Sequence, residues 1–371
     1  MPALLHHAFY STLCVFDDIM RRPLVNQDVN SLRRSVQMRL VNHGVVQTIN
    51  DSLNDMHMQT FDGTIIAIQH VLLAEWMAFR DDVVQVHQQG LQIIVEKRGG
   101  LHALGLEGQL AGFLTMYVGL TFNRVLSKLT LGFYSADYLV AVARELPPTP
   151  IYEGYANEQQ IHLGVIPRPF PESPVLSWSG FEGGGGRLNF ILRSVHSMTN
   201  RFLSGRVPSS TTQLCDTILE TQSRRSSEFD SAEQFMEEAV FLSAKVFSHA
   251  LAYKIGLSDA ARAIQQIPQH IVCRQSAIHC QIRGLLEHTN IHDCWGGMSG
   301  ILYWVLMVAN ASANGSNACH STEIHRRDEA RSWLAAVSTR CTILLGFEHL
   351  AATMGTLRHM AIIQEMLRSR D

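Results

Sequence analysis

Histidine and cysteine crowd one stretch of this sequence: His279 and Cys280, then His288, His292 and Cys294. Imidazole and thiolate are zinc ligands, and His288 and His292 would share a face if a helix ran through both, with Cys294 as a third donor. The Trp295-Gly296-Gly297 that follows marks a helix end, and the spacing fits no zinc pattern, so no metal site is assigned. Cys273 and Cys280 fall on one face of an expected helix and read as small buried hydrophobes. Gly296-Gly297-Met298-Ser299-Gly300 lacks the Gly-x-Ser-x-Gly spacing and the preceding strand of a hydrolase elbow. The run Gly183-Gly184-Gly185-Gly186 has neither the strand nor the Gly-Lys-Ser/Thr that a phosphate loop needs. A helical, magnesium-dependent isoprenoid enzyme would carry Asp-Asp-x-x-Asp, but Asp17-Asp18 and Asp81-Asp82 lack the third acid. No catalytic, cofactor or metal residue is therefore assigned and no cofactor is expected. That isoprenoid-type enzyme and a ligand-free helical scaffold are the alternatives to the reading below.

The elements around these residues read as helices. Ile65, Ile68, Leu72, Trp76 and Phe79 recur at steps of three and four, predicting a helix over Thr64 to Arg80 with Asp62 as its N-cap. A second helix starts at Asp81 or Asp82, buries Val83, His87, Leu91 and Ile94, and stops where Gly99 and Gly100 permit a left-handed cap, making a hairpin with the first. Helical periodicity also covers 31–56, 107–128, 135–145, 187–204, 211–225, 230–255, 260–286, 298–312, 323–345 and 348–369, and strand alternation is almost absent. The expected fold is all-α, an array of antiparallel helices with one long irregular excursion. That excursion, 147–186, holds Pro147, Pro148, Pro150, Pro167, Pro169, Pro171 and Pro174 besides the glycine run. It separates an N-terminal half (1–146) from a C-terminal half (187–371), and the two halves are expected to share one core.

Composition sets the outer limits. At 46% hydrophobic and 17% charged, the 371 residues can build a packed interior. A net charge of -3 gives no basic field for a phosphate backbone, and the Arg224-Arg225 and Arg326-Arg327 pairs read as solvated helix faces, so direct nucleic-acid binding is not expected. Seven scattered cysteines and an opening MPALLHHAFY without a cationic segment and apolar core fit a reducing compartment. Asn310-Ala-Ser312 and Asn314-Gly-Ser316 then read as loop residues rather than glycosylation acceptors. The run Ile301 to Ala309 is too short for a bilayer and reads as a buried helix, so no membrane association is expected.

One element is more distinctive. His87-x-x-Gly90-Leu91 leads into Arg98-Gly99-Gly100-Leu101-x-x-Leu104-Gly105-x-x-Gly108-x-Leu110, preceded by Asp62-x-Thr64-Ile65-x-Ala67-Ile68. This resembles the helical regulatory domain that follows the DNA-binding finger in fungal zinc binuclear cluster transcription factors and occurs in finger-less relatives. The resemblance spans roughly residues 30–115, with a looser echo in the Trp304 helix, a polar loop and a helix bearing Arg331 and Trp333. It implies transcriptional regulation through protein partners, the transcription machinery or a small effector, with a nuclear or cytoplasmic location. These residues contain no six-cysteine Cys-x2-Cys-x6-Cys cluster, so they are not expected to read DNA themselves. Within the element, His87, Gly90, Leu91, Arg98, Gly99, Gly100, Leu101, Leu104, Gly105 and Gly108 are expected to define the fold rather than to react.

Overall fold

The computed structural model describes residues 2–21, 29–105, 136–149, 186–205, 215–218, 231–266, 277–293, 295–314 and 321–369. Every regular element among them is a helix, and none of these helices is long and apolar enough to cross a membrane. The chain forms two compact units. One comprises Met1–Asp137, Pro148–Gln160 and Ala335–Ile343, the other Tyr138–Pro147, Ile161–Leu334 and Leu344–Asp371.

The first unit is built on α1 (Pro2–Arg21), α2 (Val29–Asn54), α3 (Asp62–Met77) and α4 (Asp81–Arg98). α3 lies against the other three and is buried on nearly every side, as its almost unbroken apolar sequence requires. It stops at Met77, three residues short of the expected Arg80, because Phe79 turns left-handed at φ 61°. The Phe79 N–H then bonds to the Trp76 carbonyl at 3.0 Å and the Arg80 N–H to the Glu75 carbonyl at 3.0 Å, closing the last turn. α1 was not evident in the sequence. It buries Leu4, Ala8, Ser11, Thr12, Val15 and Ile19, so two hydroxyls and a methyl interrupt the apolar stripe.

Three expectations here are corrected. Phe61, not Asp62, is the N-cap of α3, and Asp62 is the first helical residue with its carboxylate turned elsewhere. In α4, Leu91 and Ile94 are buried as expected. Val83 and His87 are only half-buried, and Val84 and Val95 take the deepest places. The stripe is rotated by about one residue, because α4 faces α3 slightly to the side of the predicted line.

In the second unit, α7 (Ala232–Tyr253) is the hub. Around it pack α6 (Gly186–Leu203), α8 (Leu257–Gln266), α9 (Ile278–Leu286) and α10 (Ser299–Ser312), while α5 (Ala136–Arg144) enters this unit at Tyr138. α10 is buried along its whole length, as its apolar run predicts, and Trp304 meets Phe247 of α7 edge-on with ring centres 5.5 Å apart. Asn310 is therefore no loop residue. It lies in the last turn of α10, buried, with its Nδ2 donating to the Leu306 carbonyl at 2.8 Å.

The single helix expected over 260–286 is two, α8 ending at Gln266 and α9 beginning after an extended Ala277, with Pro268 in the sequence between them. The two helices expected at the C-terminal end are both present, numbered together as α11 (Ser321–Arg368), and they meet at a kink at His349 (φ -135°, ψ 41°) rather than at Gly346 and Phe347. The helix expected over 107–128, nearly all of 211–225 and all but the edges of the excursion lie outside the described residues, as do Gly108, Cys273, Cys294, Arg224 and Arg225.

α5 and α8 are short and are completed from far along the chain. Glu145 turns left-handed after α5 (φ 55°), and its carboxylate accepts the N–H groups of Leu257 and, at 3.2 Å, Ser258, donors at the start of α8 that have no partner within that helix. Burial raises the pKa of this carboxyl above the ordinary range, while those hydrogen bonds pull it down. At α5, the Val142 carbonyl accepts from Gln364 Nε2 at 2.7 Å and the Ala143 carbonyl from Asn314 Nδ2 at 2.7 Å.

Candidate functional site

The end of α4 gathers the element singled out by its spacing. Gly99 sits at φ 106° and Gly100 at φ 87°, conformations that cost a residue with a Cβ. The Gly99 N–H bonds to the Glu96 carbonyl at 3.0 Å and the Gly100 N–H to the Val95 carbonyl at 2.9 Å, the paired bonds of a Schellman cap. The reversal delivers Leu101 and Leu104 into the interior through a short 3₁₀ turn, Leu101–Ala103. Each buried leucine contributes about 1.5–3 kcal/mol.

Arg98 fastens this turn to the start of α3. Its Nη2 lies 3.5 Å from Asp62 Oδ1, its Nη1 donates to the Thr60 carbonyl at 3.3 Å, and its Nε donates to the Ala103 carbonyl at 3.4 Å. The Gly105 N–H donates to the same Asp62 oxygen at 3.4 Å. A Cβ at Gly105 would fall 2.0 Å from Asp62 Oδ2, so the carboxylate fills the space a side chain would need. Asp62, expected to cap its own helix, instead joins Arg98 and Gly105 in one lock.

His87 and Gly90 lie outside the lock. His87 is half-buried, and burial, with the nearby positive charge of Arg80, holds the pKa of its imidazole below the ordinary value. Gly90 is an ordinary helical residue with open space where a Cβ would stand, so neither backbone angle nor crowding demands glycine there. It lines a shallow groove of about 250 Å³ with Leu53, Gln59, Ile93, Ile94 and Lys97, formed where the end of α2 passes α4.

The histidines and cysteines of the second unit do not converge. α9 ends at Leu286, so His288 stands in the turn beyond it, stacked on Phe235 at 4.6 Å, and His292 lies in a separate 3₁₀ turn. The two therefore share no helix face. His279 is buried and Cys280 half-buried on α9 itself. Among the described residues no three His, Cys, Asp or Glu side chains are grouped as metal ligands would be. Ser299 opens α10 as a buried residue after a 3₁₀ turn.

Elsewhere in this unit, the ring of Phe241 has the Arg187 guanidinium at 4.4 Å and the Lys245 ammonium at 4.5 Å, and Arg187 Nη1 reaches Glu238 at 3.3 Å. Burial lowers the pKa of Lys245, and the Glu238 carboxylate opposes that shift. The glutamate, the lysine and the aromatic ring all lie on α7, and the ion pair ties α6 to it.

Comparison of the chain with models of protein families, with characterised proteins and with solved structures finds no match.

Proposed function

We propose that this chain is a regulatory domain of the kind found in fungal zinc binuclear cluster transcription factors and their finger-less relatives, acting through a protein partner of the transcription machinery. What carries the reading is the lock at the end of α4. Arg98, Gly99, Gly100, Leu101, Leu104 and Gly105, the second part of the element on which the resemblance rests, each have a definite place in a single turn tied to Asp62, while His87 and Gly90 of its first part lie outside that turn. A motif whose parts interlock in an all-α setting is better support than the same letters scattered over unrelated elements.

The groove beside Gly90 bears on how such a domain would act. Its volume of about 250 Å³ falls below the range of roughly 300–1,000 Å³ typical of small-molecule pockets. It suits an apolar side chain from a partner better than an enclosed effector, with Lys97 and Gln59 at its edge for polar contacts.

The test is a reporter assay with the chain fused to an unrelated DNA-binding domain, in cells of a filamentous fungus. Reporter output should change by several-fold relative to the DNA-binding domain alone. Equal output from the two, with the fusion shown by circular dichroism to be folded, would sink the proposal. Magnesium-dependent release of diphosphate from prenyl diphosphates by the purified chain would move the assignment to the enzyme alternative.

A further inference from the structure

Within the second unit, α9 and the first turns of α11 carry an arginine-rich corner that the regulatory reading does not use. His279 and Arg283 lie one turn apart on the same face of α9, and both are almost fully buried, at 1% and 4% exposure. The Arg283 guanidinium lies 5.7 Å from the ring centre of buried Trp333, and its Nε donates to Glu287 Oε1 at 3.0 Å. Arg331 has its Nη1 3.9 Å from Asp328 Oδ1.

Two nitrogens remain. Among the described residues, neither Arg283 Nη1 nor His279 Nε2 has a hydrogen-bond partner, although both atoms are buried. Glu287 is spent on the Arg283 Nε, and Asp328, about half exposed, faces Arg331. Natural proteins rarely bury donors without an acceptor, because the lost hydration is not returned. His279 is also held neutral: burial, then the charges of Arg331 and Arg327, push its pKa down to about 3. A neutral imidazole can present an N–H at Nε2 without adding a further charge to a corner that already holds several guanidiniums.

We propose that this corner is a binding site for a small oxyanion, a phosphate or carboxylate group, accepted by Arg283 Nη1 and His279 Nε2 and drawn in by Arg327 and Arg331. The flat guanidinium of Arg283 lies over the Trp333 ring and is tied to Glu287 before any ligand arrives, which suits the planar geometry of oxyanion recognition. The site does not depend on the transcriptional reading, because it rests on one pair of helices whatever the domain regulates.

The experiment is a thermal-shift and calorimetric titration of the whole chain with inorganic phosphate, with acetate, and with chloride at matched ionic strength. Phosphate or acetate should raise the melting temperature along a saturating curve that chloride does not reproduce. Saturation by one and not the other identifies which oxyanion the site prefers. Arg283→Met should abolish the saturable part, and Arg331→Gln, at a more accessible position, should weaken binding at least three-fold. In the parent protein, the ¹⁵N resonance of His279 Nε2 should move with the titration, a readout that does not require any variant to fold. The proposal is overturned if chloride gives the same curve, if the His279 resonance stays fixed, or if both variants bind as the parent does.

Discussion

Two arginines in this molecule each lie beside one carboxylate and meet opposite fates. At the end of α4, Arg98 has three nearby acceptors, and the Asp62 carboxylate it approaches also receives the Gly105 N–H. On α9, Arg283 is more deeply buried, yet its Nη1 and the neighbouring His279 Nε2 have no acceptor among the described residues. The first arrangement is closed: its polar groups are consumed in holding a turn. The second has capacity left over, and unused hydrogen-bonding capacity in a buried place is where a ligand gains affinity.

Four measurements would break or sharpen that contrast. The largest effect concerns a buried histidine of the first unit. His70 of α3 has its pKa pushed down to about 4 by burial, with Thr12 Oγ1 3.5 Å from its Nδ1. Its folded pKa lies below the unfolded value of about 6.5, so the unfolded chain binds the proton first. The stability it contributes is complete above pH 6.5 and is lost as pH falls toward 4, by about 3 kcal/mol from this residue. Denaturant titrations across that window should show the loss, and His70→Gln should flatten it.

Next is the turn itself. Gly99→Ala with Gly100→Ala forces two side chains into left-handed backbone and should cost about 2 kcal/mol or more by urea unfolding. An unchanged midpoint would mean that the cap can rearrange, and the closed description of this corner would fail. Arg98→Ala should cost about 1 kcal/mol, since its partner Asp62 is only partly shielded from water. Gly90→Ala should act in the opposite direction. Nothing obstructs a methyl group there, so the helix should gain about 0.5–1 kcal/mol. The same substitution narrows the groove, and reporter output should fall even as stability rises.

The closed corner was largely legible in the sequence because its determinants are local. Two adjacent glycines after an apolar helical stripe specify a left-handed cap, and Leu101 and Leu104 follow at the spacing of one turn. The role of Asp62 was misread by a single position. An acidic residue at a helix start satisfies the rules for the N-cap and for the first turn alike, and only the approach of Arg98 from another helix separates them. The arginine corner was not legible at all. Arg283 and Arg331 come from distant parts of the chain, no spacing rule links them, and Arg327, read as part of a solvated face, is half-buried. α1 escaped notice for a different reason: its buried face carries Ala8, Ser11 and Thr12, and the single Thr12 O–H has two carbonyl acceptors within reach, Ala8 and His70, each at 3.0 Å. A hydroxyl bonded in that way packs much as an apolar group would, and hydrophobic periodicity does not register it.

The completion of α5 and α8 from far along the chain has a consequence in time. Isolated helices of nine or ten residues are marginal in water, so neither helix persists until its ends are satisfied. Glu145 is made 112 residues before the α8 amide it serves, and Val142 is made 222 residues before the Gln364 that serves it. As the chain leaves the ribosome, α5 has only the local bonds from the Glu145 and Leu146 N–H groups at its C-terminal end, and the side-chain donors Asn314 and Gln364 follow after nearly all of the unit has been made. The order of synthesis and the order of folding run in opposite directions here, and the earliest-made helix of the second unit is among the last to become secure.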